Sequence, residues 1–355
     1  MLTAERLKEF ALNEVRVDKI GIANIERFAQ APPDMHPLNI MPNARSVVVF
    51  IKRIVRGTYR GIDEGTHWPS YSIFGYAHLN RMLGSSAYKI ARFIERFGYE
   101  ATGLSGAAAS REIGVRGPRP APGKPAREVV LHHRIAATLA GLGEIGWSKV
   151  FLTEEFGPRQ RIGVVLTEAE LEPDPIRTGH LCDRCKRCAK ECPAGAISTE
   201  RSVGIEVEGH RIEWGDLDLG KCKLTHFGLN KRSSPFFAKR FPGLSLPVSE
   251  QEVTWREAWD LGYALFPTMP AFQSLAAHPI AICGARGCIQ GCMKHLEKRG
   301  KVKNRFRTRP VFSEAEPWCL PETPAHTFAE HHGFIYDPEV DEVEDVESQA
   351  GSSWY

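Results

Sequence analysis

The chain has 355 residues, 42% of them hydrophobic and 25% charged, with a net charge of +3, the balance of an ordinary globular protein. No apolar run approaches the roughly 20 residues that a membrane span needs, and the start, MLTAERLKEF, reads as the first turn of a helix and not as a signal core. The expectation is a cytoplasmic protein long enough for two domains, whose nine cysteines are not disulfides.

In chain order, residues 4–13 are expected to be helical. IGIANIERF (20–28) and SVVVFIKRIV (46–55) are nearly continuous β-branched runs and read as buried strands. GTYRGIDEGTHWPSYSIFGY (57–76), rich in glycine, aromatics and polar residues, reads as a loop over a site. Residues 78–98 have apolar positions at helical spacing and Gly98 as the stop. A Pro/Gly-rich loop (114–128) is followed by a helix over 129–143 and a strand at IGVVLTEAEL (162–171). Prolines at EPDP place a boundary near residue 175, beyond which short strands (GIEVEGHRIEW) and two helical segments separate two groups of cysteines. DPEVDEVEDVES (337–348) has seven acids and no base and reads as a disordered tail. KHLEKRGKVKNRFRTR (294–309), with eight Lys or Arg against one Glu, reads as a solvated helix end or as a surface for RNA or an acidic electron donor.

Cys182-x2-Cys185-x2-Cys188-x3-Cys192-Pro193 is the bacterial ferredoxin run. Its spacing wraps three thiolates round one cubane cluster and sends the fourth to another. Zinc sites more often show two distant CxxC pairs and no fifth position of this kind. The missing ligands stand downstream: Cys222 in LGKCKLTH, and Cys283, Cys288 and Cys292 in AICGARGCIQGCMKH. The ferredoxin exchange predicts one [4Fe-4S] cluster on Cys182, Cys185, Cys188 and Cys292, and a second on Cys192, Cys222, Cys283 and Cys288. The second run has a longer C-x4-C spacing and Met293 where proline is usual; Gly284, Gly287 and Gly291 let that loop fold round the sulfurs. Cys319 is left over as a structural thiol.

Gly141, Gly143 and Gly146 spell GxGxxG, but they follow a helix and precede a strand, the reverse of a dinucleotide fingerprint. AGLGEIG (140–146), EFGPR (155–159), LTEAELEPD (166–174) and then the cysteine region resemble the epoxyqueuosine reductase and reductive dehalogenase superfamily, as do residues 21–50 and AYKIARFIERFGYEA (87–101). The resemblance runs to about residue 300 and implies an α+β chain. A nitroreductase-like α/β cobalamin-binding domain (1–175) would precede a ferredoxin-like two-[4Fe-4S] domain (176–310) and a C-terminal loop and acidic tail (311–355). It implies an oxidoreductase in which electrons from flavodoxin or ferredoxin pass through the clusters to cobalamin, and reduced cobalt cleaves a C–O or C–halogen bond. Gly141, Leu142, Gly143, Ile145 and Gly146 would lie under the cobalamin. The substrate would be tRNA, as for the epoxyqueuosine enzymes, or a small molecule.

The resemblance also implies a proton donor. In epoxyqueuosine reductases it is an aspartate 13 residues before the alanine of AGLG; that count reaches Arg127 here, with Glu128 beside it. In dehalogenases it is a tyrosine beside a basic residue, which makes Tyr71 and Tyr76 candidates, with His133 and Arg134 as the basic partners and Glu144 as a further acid. His132, His133, His180 and His226 are expected to be structural and not metal ligands. Two rival readings stand beside the enzyme: a ferredoxin-like electron-transfer protein, and an activator that reduces another protein's corrinoid. An active-site lid at 57–76 would be buried, and a docking loop there exposed.

Overall fold

The computed structural model describes residues 1–63, 67, 70–104, 119, 121–125, 129–234, 252–265 and 281–305. All of them fall in one unit, Met1–Glu314. Cys319, the acidic tail, Arg127 and Glu128 lie outside the described residues.

Four antiparallel strands form the central sheet: β1 (Lys19–Asn24), β2 (Ser46–Arg53), β3 (Ala101–Leu104) and, reached after further elements, β6 (Gln160–Thr167), in the order β1-β2-β6-β3. The β-branched run on β2 is buried on both faces, as its continuous apolar character predicts. Val48 and Phe50 point into one core with Ile22 and Val165; Val47, Val49 and Ile51 point into the other with Val164 and Leu166. Two helices cover the first face. They are α1 (Ala4–Asn13), capped by Thr3 through the Arg6 N–H, and α3 (His78–Glu95), and they meet where the Phe10 and Phe93 rings stack at 3.9 Å. Gly98, with φ +81°, sits in the turn that ends α3.

On the second face lies α4 (His133–Leu139), shorter than the helix read from the sequence. The His132 ring caps it by accepting the Ile135 N–H at 3.3 Å. Then come the hairpin β4 (Glu144–Ile145) and β5 (Phe151–Leu152). The cysteine region supplies α5 (Arg187–Lys190), the hairpin β7 (Ile197–Val207) with β8 (His210–Leu217), α6 (Leu219–His226), α7 (Trp255–Leu265) and α8 (Cys292–Lys298). Among the described residues no helix is long and apolar enough to cross a membrane.

The segment read as a loop is largely helical where it is described: α2 covers Arg56–Asp63, and a π-helical stretch covers Tyr71–Ala77. Glycine and polar residues lowered the apparent helix propensity, but Tyr59, Ile62 and Tyr71 bury against Ile54, Leu79 and Ala285, and that packing overrides propensity. A second π-helical stretch covers Arg286–Gly291. Such turns concentrate at functional sites, and these two carry Tyr71, Tyr76 and Cys288.

Gly21 marks how closely the sheet and the second layer approach. A Cβ there would lie 2.2 Å from the Ala140 carbonyl oxygen, so Gly21→Ala must displace backbone and is expected to cost about 3 kcal/mol. Denaturant unfolding of the variant against the parent protein measures it.

Candidate functional site

The eight cysteines come together from three segments and sort into two groups. Burial pushes the Cys292 thiol well up, and the thiols that add to this are Cys188, Cys182 and Cys185. Burial likewise pushes Cys222 up to about 12, with Cys283 and Cys192 as the next causes. Cys288 is raised by burial and then by Cys283, Cys222 and Cys192, with Cys188 after them. The first quartet is therefore Cys182, Cys185, Cys188 and Cys292, and the second Cys192, Cys222, Cys283 and Cys288. The first lines a small cavity with Trp147, Ser148 and His295. Four thiols grouped in this way are a donor set that suits an iron–sulfur cluster.

The local backbone is bent to this end. Arg184 and Lys186 flank Cys185 with φ of +55° and +58°, and Ala281 and Ala285 bracket Cys283 with +62° and +52°. Left-handed non-glycine residues cost about 1–2 kcal/mol each, and these four flank two of the cysteines. The Trp147 N–H donates to Cys182 Sγ at 3.3 Å. The two cysteine runs cross at Gly287, where a Cβ would lie 2.5 Å from the Cys192 nitrogen.

Glu144 is not a free acid. Its carboxylate is buried and accepts the backbone N–H groups of His180, Leu181 and Cys182 at 2.8, 3.2 and 2.7 Å. It fastens the start of the first cysteine run to the β4–β5 hairpin. Gly141, Gly143 and Gly146 are also spoken for. A Cβ at Gly141 would lie 2.3 Å from the Pro175 oxygen, one at Gly143 2.0 Å from the Leu152 oxygen, and one at Gly146 2.8 Å from the Leu152 side chain. Leu142 and Ile145 are in the core with Phe151. The segment 141–146 packs on protein, so the close approach its glycines permit is to neighbouring backbone and not to an open cradle.

Tyr71, Tyr76 and Arg134 do converge. Tyr71 is buried with its ring 5.0 Å from that of Tyr59, and burial raises its phenol well above the ordinary value. Tyr76 is half-buried and meets the His226 ring edge-on at 5.3 Å. Burial lowers the pKa of Arg134, whose nearest charge neighbours are Tyr76 and Arg161, then Cys288 and Cys222. His133 is buried and neutral, held at about 4 by desolvation, with Nδ1 3.4 Å from the Ile162 carbonyl; it carries no positive charge at neutral pH. His226 accepts the Ala281 N–H at 3.2 Å, a structural bond.

The residue missed in the sequence is Arg161. It stands on β6 with its guanidinium 3.9 Å over the Tyr76 ring, and its Nε donates to the Gly75 carbonyl at 3.0 Å. Burial works against its charge, and Tyr71, Tyr76 and Tyr59 offset that. The available signal was an arginine inside an otherwise apolar strand, QRIGVVLT. Cys222 is exposed, yet desolvation pushes its thiol up to about 12. Arg134 is among the charge neighbours of Cys222, and half-buried Tyr76, Arg161 and His226 adjoin Arg134 or one another by charge or ring contact. These half-buried polar side chains beside the second quartet are the chain's own groups that suit a further bound group, whereas segment 141–146 packs on neighbouring protein.

Two variants test these assignments. Glu144→Ala strands three buried N–H groups and is expected to cost about 3 kcal/mol or more and to lower bound iron, whereas Glu144→Gln keeps an acceptor and loses less; unfolding curves and iron analysis separate them. His132 and His133 are held at about 3 and about 4, chiefly by burial. The unfolded chain, with histidines near 6.5, therefore binds more protons below that value. Stability is expected to be intact above about pH 6.5 and to fall as pH drops toward 4, with a shallower slope in His133→Gln, read by denaturant midpoints across that range.

No protein-family model matches the chain. A tetrachloroethene reductive dehalogenase of Desulfitobacterium hafniense is 34% identical over 188 residues, which is 50% of this chain and 29% of the relative. An epoxyqueuosine reductase of Listeria monocytogenes is 34% identical over 71 residues, 20% of this chain and 18% of the relative. A crystal structure of an epoxyqueuosine reductase covers 83% of this chain and 82% of its own, at 16% identity and TM-score 0.42. The chain spans less than a third of the length of the curated relatives it matches. By sequence it is a divergent relative of the reductive dehalogenases and epoxyqueuosine reductases.

Proposed function

We propose that the protein is an iron–sulfur oxidoreductase. It would hold one [4Fe-4S] cluster on Cys182, Cys185, Cys188 and Cys292, a second on Cys192, Cys222, Cys283 and Cys288, and a corrinoid beside the second, near Tyr76, Arg134 and Arg161. The observation that carries this reading is the sorting of eight thiols into two quartets that exchange one cysteine each, Cys292 and Cys192, between the two runs. The curated relatives, a reductive dehalogenase and an epoxyqueuosine reductase, support a reductase. The nitroreductase-like and ferredoxin-like division near residue 175 and a cytoplasmic location belong to the same proposal. A corrinoid, when bound, supplies a reduced cobalt centre able to cleave a C–O or C–halogen bond.

The chain's own residues do the rest. Tyr76 is the proton donor: it is half-buried, with the Arg161 guanidinium over its ring and Arg134 as a second neighbouring cation. A phenol that gives up a proton leaves a phenolate, which the two arginines stabilise in a desolvated setting. Tyr71, with its phenol raised by burial, keeps its proton and holds the ring stack with Tyr59. Arg134 and Arg161 also favour a substrate that is anionic or becomes so on bond cleavage. Tyr59, Tyr71 and Ser72 are buried, which supports a lid over a site and not a docking loop. The bond cleaved is assigned as C–O or C–halogen, in tRNA or in a small molecule.

Anaerobic reconstitution with iron, sulfide and cobalamin, then desalting and metal analysis, tests the reading. The expected result is about eight iron and one cobalt per chain. Cys292→Ser and Cys222→Ser should each lower iron to about four, through different clusters. Eight iron without retained cobalt removes the corrinoid; about four iron in the parent protein overturns the second quartet. Tyr76→Phe should slow turnover about 100-fold or more with iron and cobalt unchanged.

A further inference from the structure

The turn between β4 and β5 reaches into the cysteine region. The Lys149 N–H closes it by donating to the Gly146 carbonyl at 2.8 Å, and the two residues at its tip each bond one quartet. The Trp147 N–H donates to Cys182 Sγ at 3.3 Å, and the Ser148 hydroxyl donates to the Cys288 carbonyl at 3.3 Å. Trp147 is buried in an apolar cluster with Cys188, and Cys182, Cys192 and Cys288 pack against that cluster. It also lines a cavity together with Cys182, Cys185, Cys188 and Cys292, the whole of the first quartet.

The indole is fixed on several sides. Its Nε1–H donates to the Ser198 carbonyl at 2.9 Å. The Trp147 carbonyl accepts the Gly215 N–H at 2.9 Å, and a Cβ at Gly215 would lie 2.5 Å from Nε1, so the β7–β8 hairpin closes tightly against the ring. The Lys186 ammonium lies 5.0 Å from the ring centroid, and Lys186 lines the same cavity as the first quartet. Its neighbours Arg184 and Arg187 pair with Glu213 and Glu191, whereas the quadrupole of the indole holds Lys186. One side chain thus brings two electropositive groups, a backbone N–H and an ammonium, to the first quartet. Reduction adds one electron, and so one negative charge, to a cluster on these sulfurs; N–H donors to sulfur and nearby positive charge raise the potential at which that happens. Ser148 gives the second quartet no such help, since its hydroxyl bonds a carbonyl and not a sulfur.

We propose that Trp147 is a positioning residue that raises the potential of the cluster on the first quartet, by holding its own N–H and the Lys186 ammonium beside those sulfurs, and leaves the second cluster unchanged. This rests on the two-cluster reading above. Two sets of four cysteines, alike in ligand chemistry, are thereby made unequal in potential by one side chain from outside both cysteine runs.

The test uses the full reconstituted chain, with iron counted in every sample and cluster reduction followed by EPR at set potentials. Cys222→Ser and Cys292→Ser assign the signals, since each is expected to leave one cluster. Trp147→Leu removes the aromatic face and the Nε1 donor, Lys186→Met removes the charge alone, and Trp147→Phe keeps a face for the ammonium. In Trp147→Leu the first cluster should be about tenfold harder to reduce, a fall of about 59 mV for one electron, with the second cluster and the iron content unchanged. Lys186→Met should lower the same potential, Trp147→Phe should lower it less than Trp147→Leu, and Trp147→Leu/Lys186→Met should lower it no further than Trp147→Leu alone. A first-cluster potential equal to the parent's in Trp147→Leu or in Lys186→Met overturns the proposal. A rise in Trp147→Leu also overturns it, because the ring would then act as a shield against water, and so does an equal fall in both clusters. If Trp147→Leu loses iron, Lys186→Met decides alone: a lowered first-cluster potential supports the proposal and the parent's value overturns it. A parent protein with about four iron or none defeats the two-cluster reading itself, and this proposal falls with it.

Discussion

The structure depends on one close crossing. Two cysteine runs roughly a hundred residues apart pass so near each other at Gly287 that a single Cβ would collide with the Cys192 nitrogen at 2.5 Å and the Cys188 oxygen at 2.6 Å. No side chain larger than hydrogen fits there without moving backbone. The crossing brings Cys292 to the first run and leaves Cys192 beside Cys283 and Cys288, so one contact decides the membership of both quartets. Glu144 makes the complementary attachment, holding the same ribbon to the sheet side through three backbone N–H groups. A buried carboxylate is costly unless its lone pairs are used, and three donors converging on it satisfy that requirement and fix the direction of the chain entering Cys182.

This fastening links the cysteines to the sheet chemistry. β6 carries Arg161, whose guanidinium covers Tyr76, and the Gly75 carbonyl to which it donates belongs to the π-helical stretch that presents that tyrosine. The second π-helical stretch presents Cys288 to the same region. Two irregular helical turns, from segments about two hundred residues apart, thus meet where a tyrosine, two arginines and a buried thiol interact. Desolvation raises Tyr71 and Cys288 and opposes the charge of Arg134. In such a setting the electrostatic work of stabilising a new anion falls to groups already fixed in place.

How much of this was readable beforehand varied by kind of signal. The buried strands at 46–53 and 160–167 and the helix from 78 were legible because continuous β-branched runs and helical spacing are local. The glycines of 140–146 were legible as places of close approach, but not what approaches: the sequence suggested a flat ligand, and the structure supplies Pro175 and Leu152. The segment 57–76 looked like a loop because glycine and polar residues dominate it, whereas burial of Tyr59 and Tyr71 makes its described parts helical. Glu144 looked like a free acid and His133 like a cation, since neither residue type shows its partners or its burial in a one-dimensional string.

The sequence by itself determined the cysteine spacing, because closely spaced thiolates in two runs are a local pattern that suits a compact polynuclear centre. It also determined the alternation of strand and helix, which is set by local periodicity. Only the tertiary structure decided which cysteines stand together and that Arg161 is the cation over Tyr76. Those are matters of distance and desolvation between segments far apart in the chain, and charge neighbours and dielectric surroundings exist only once the chain has folded.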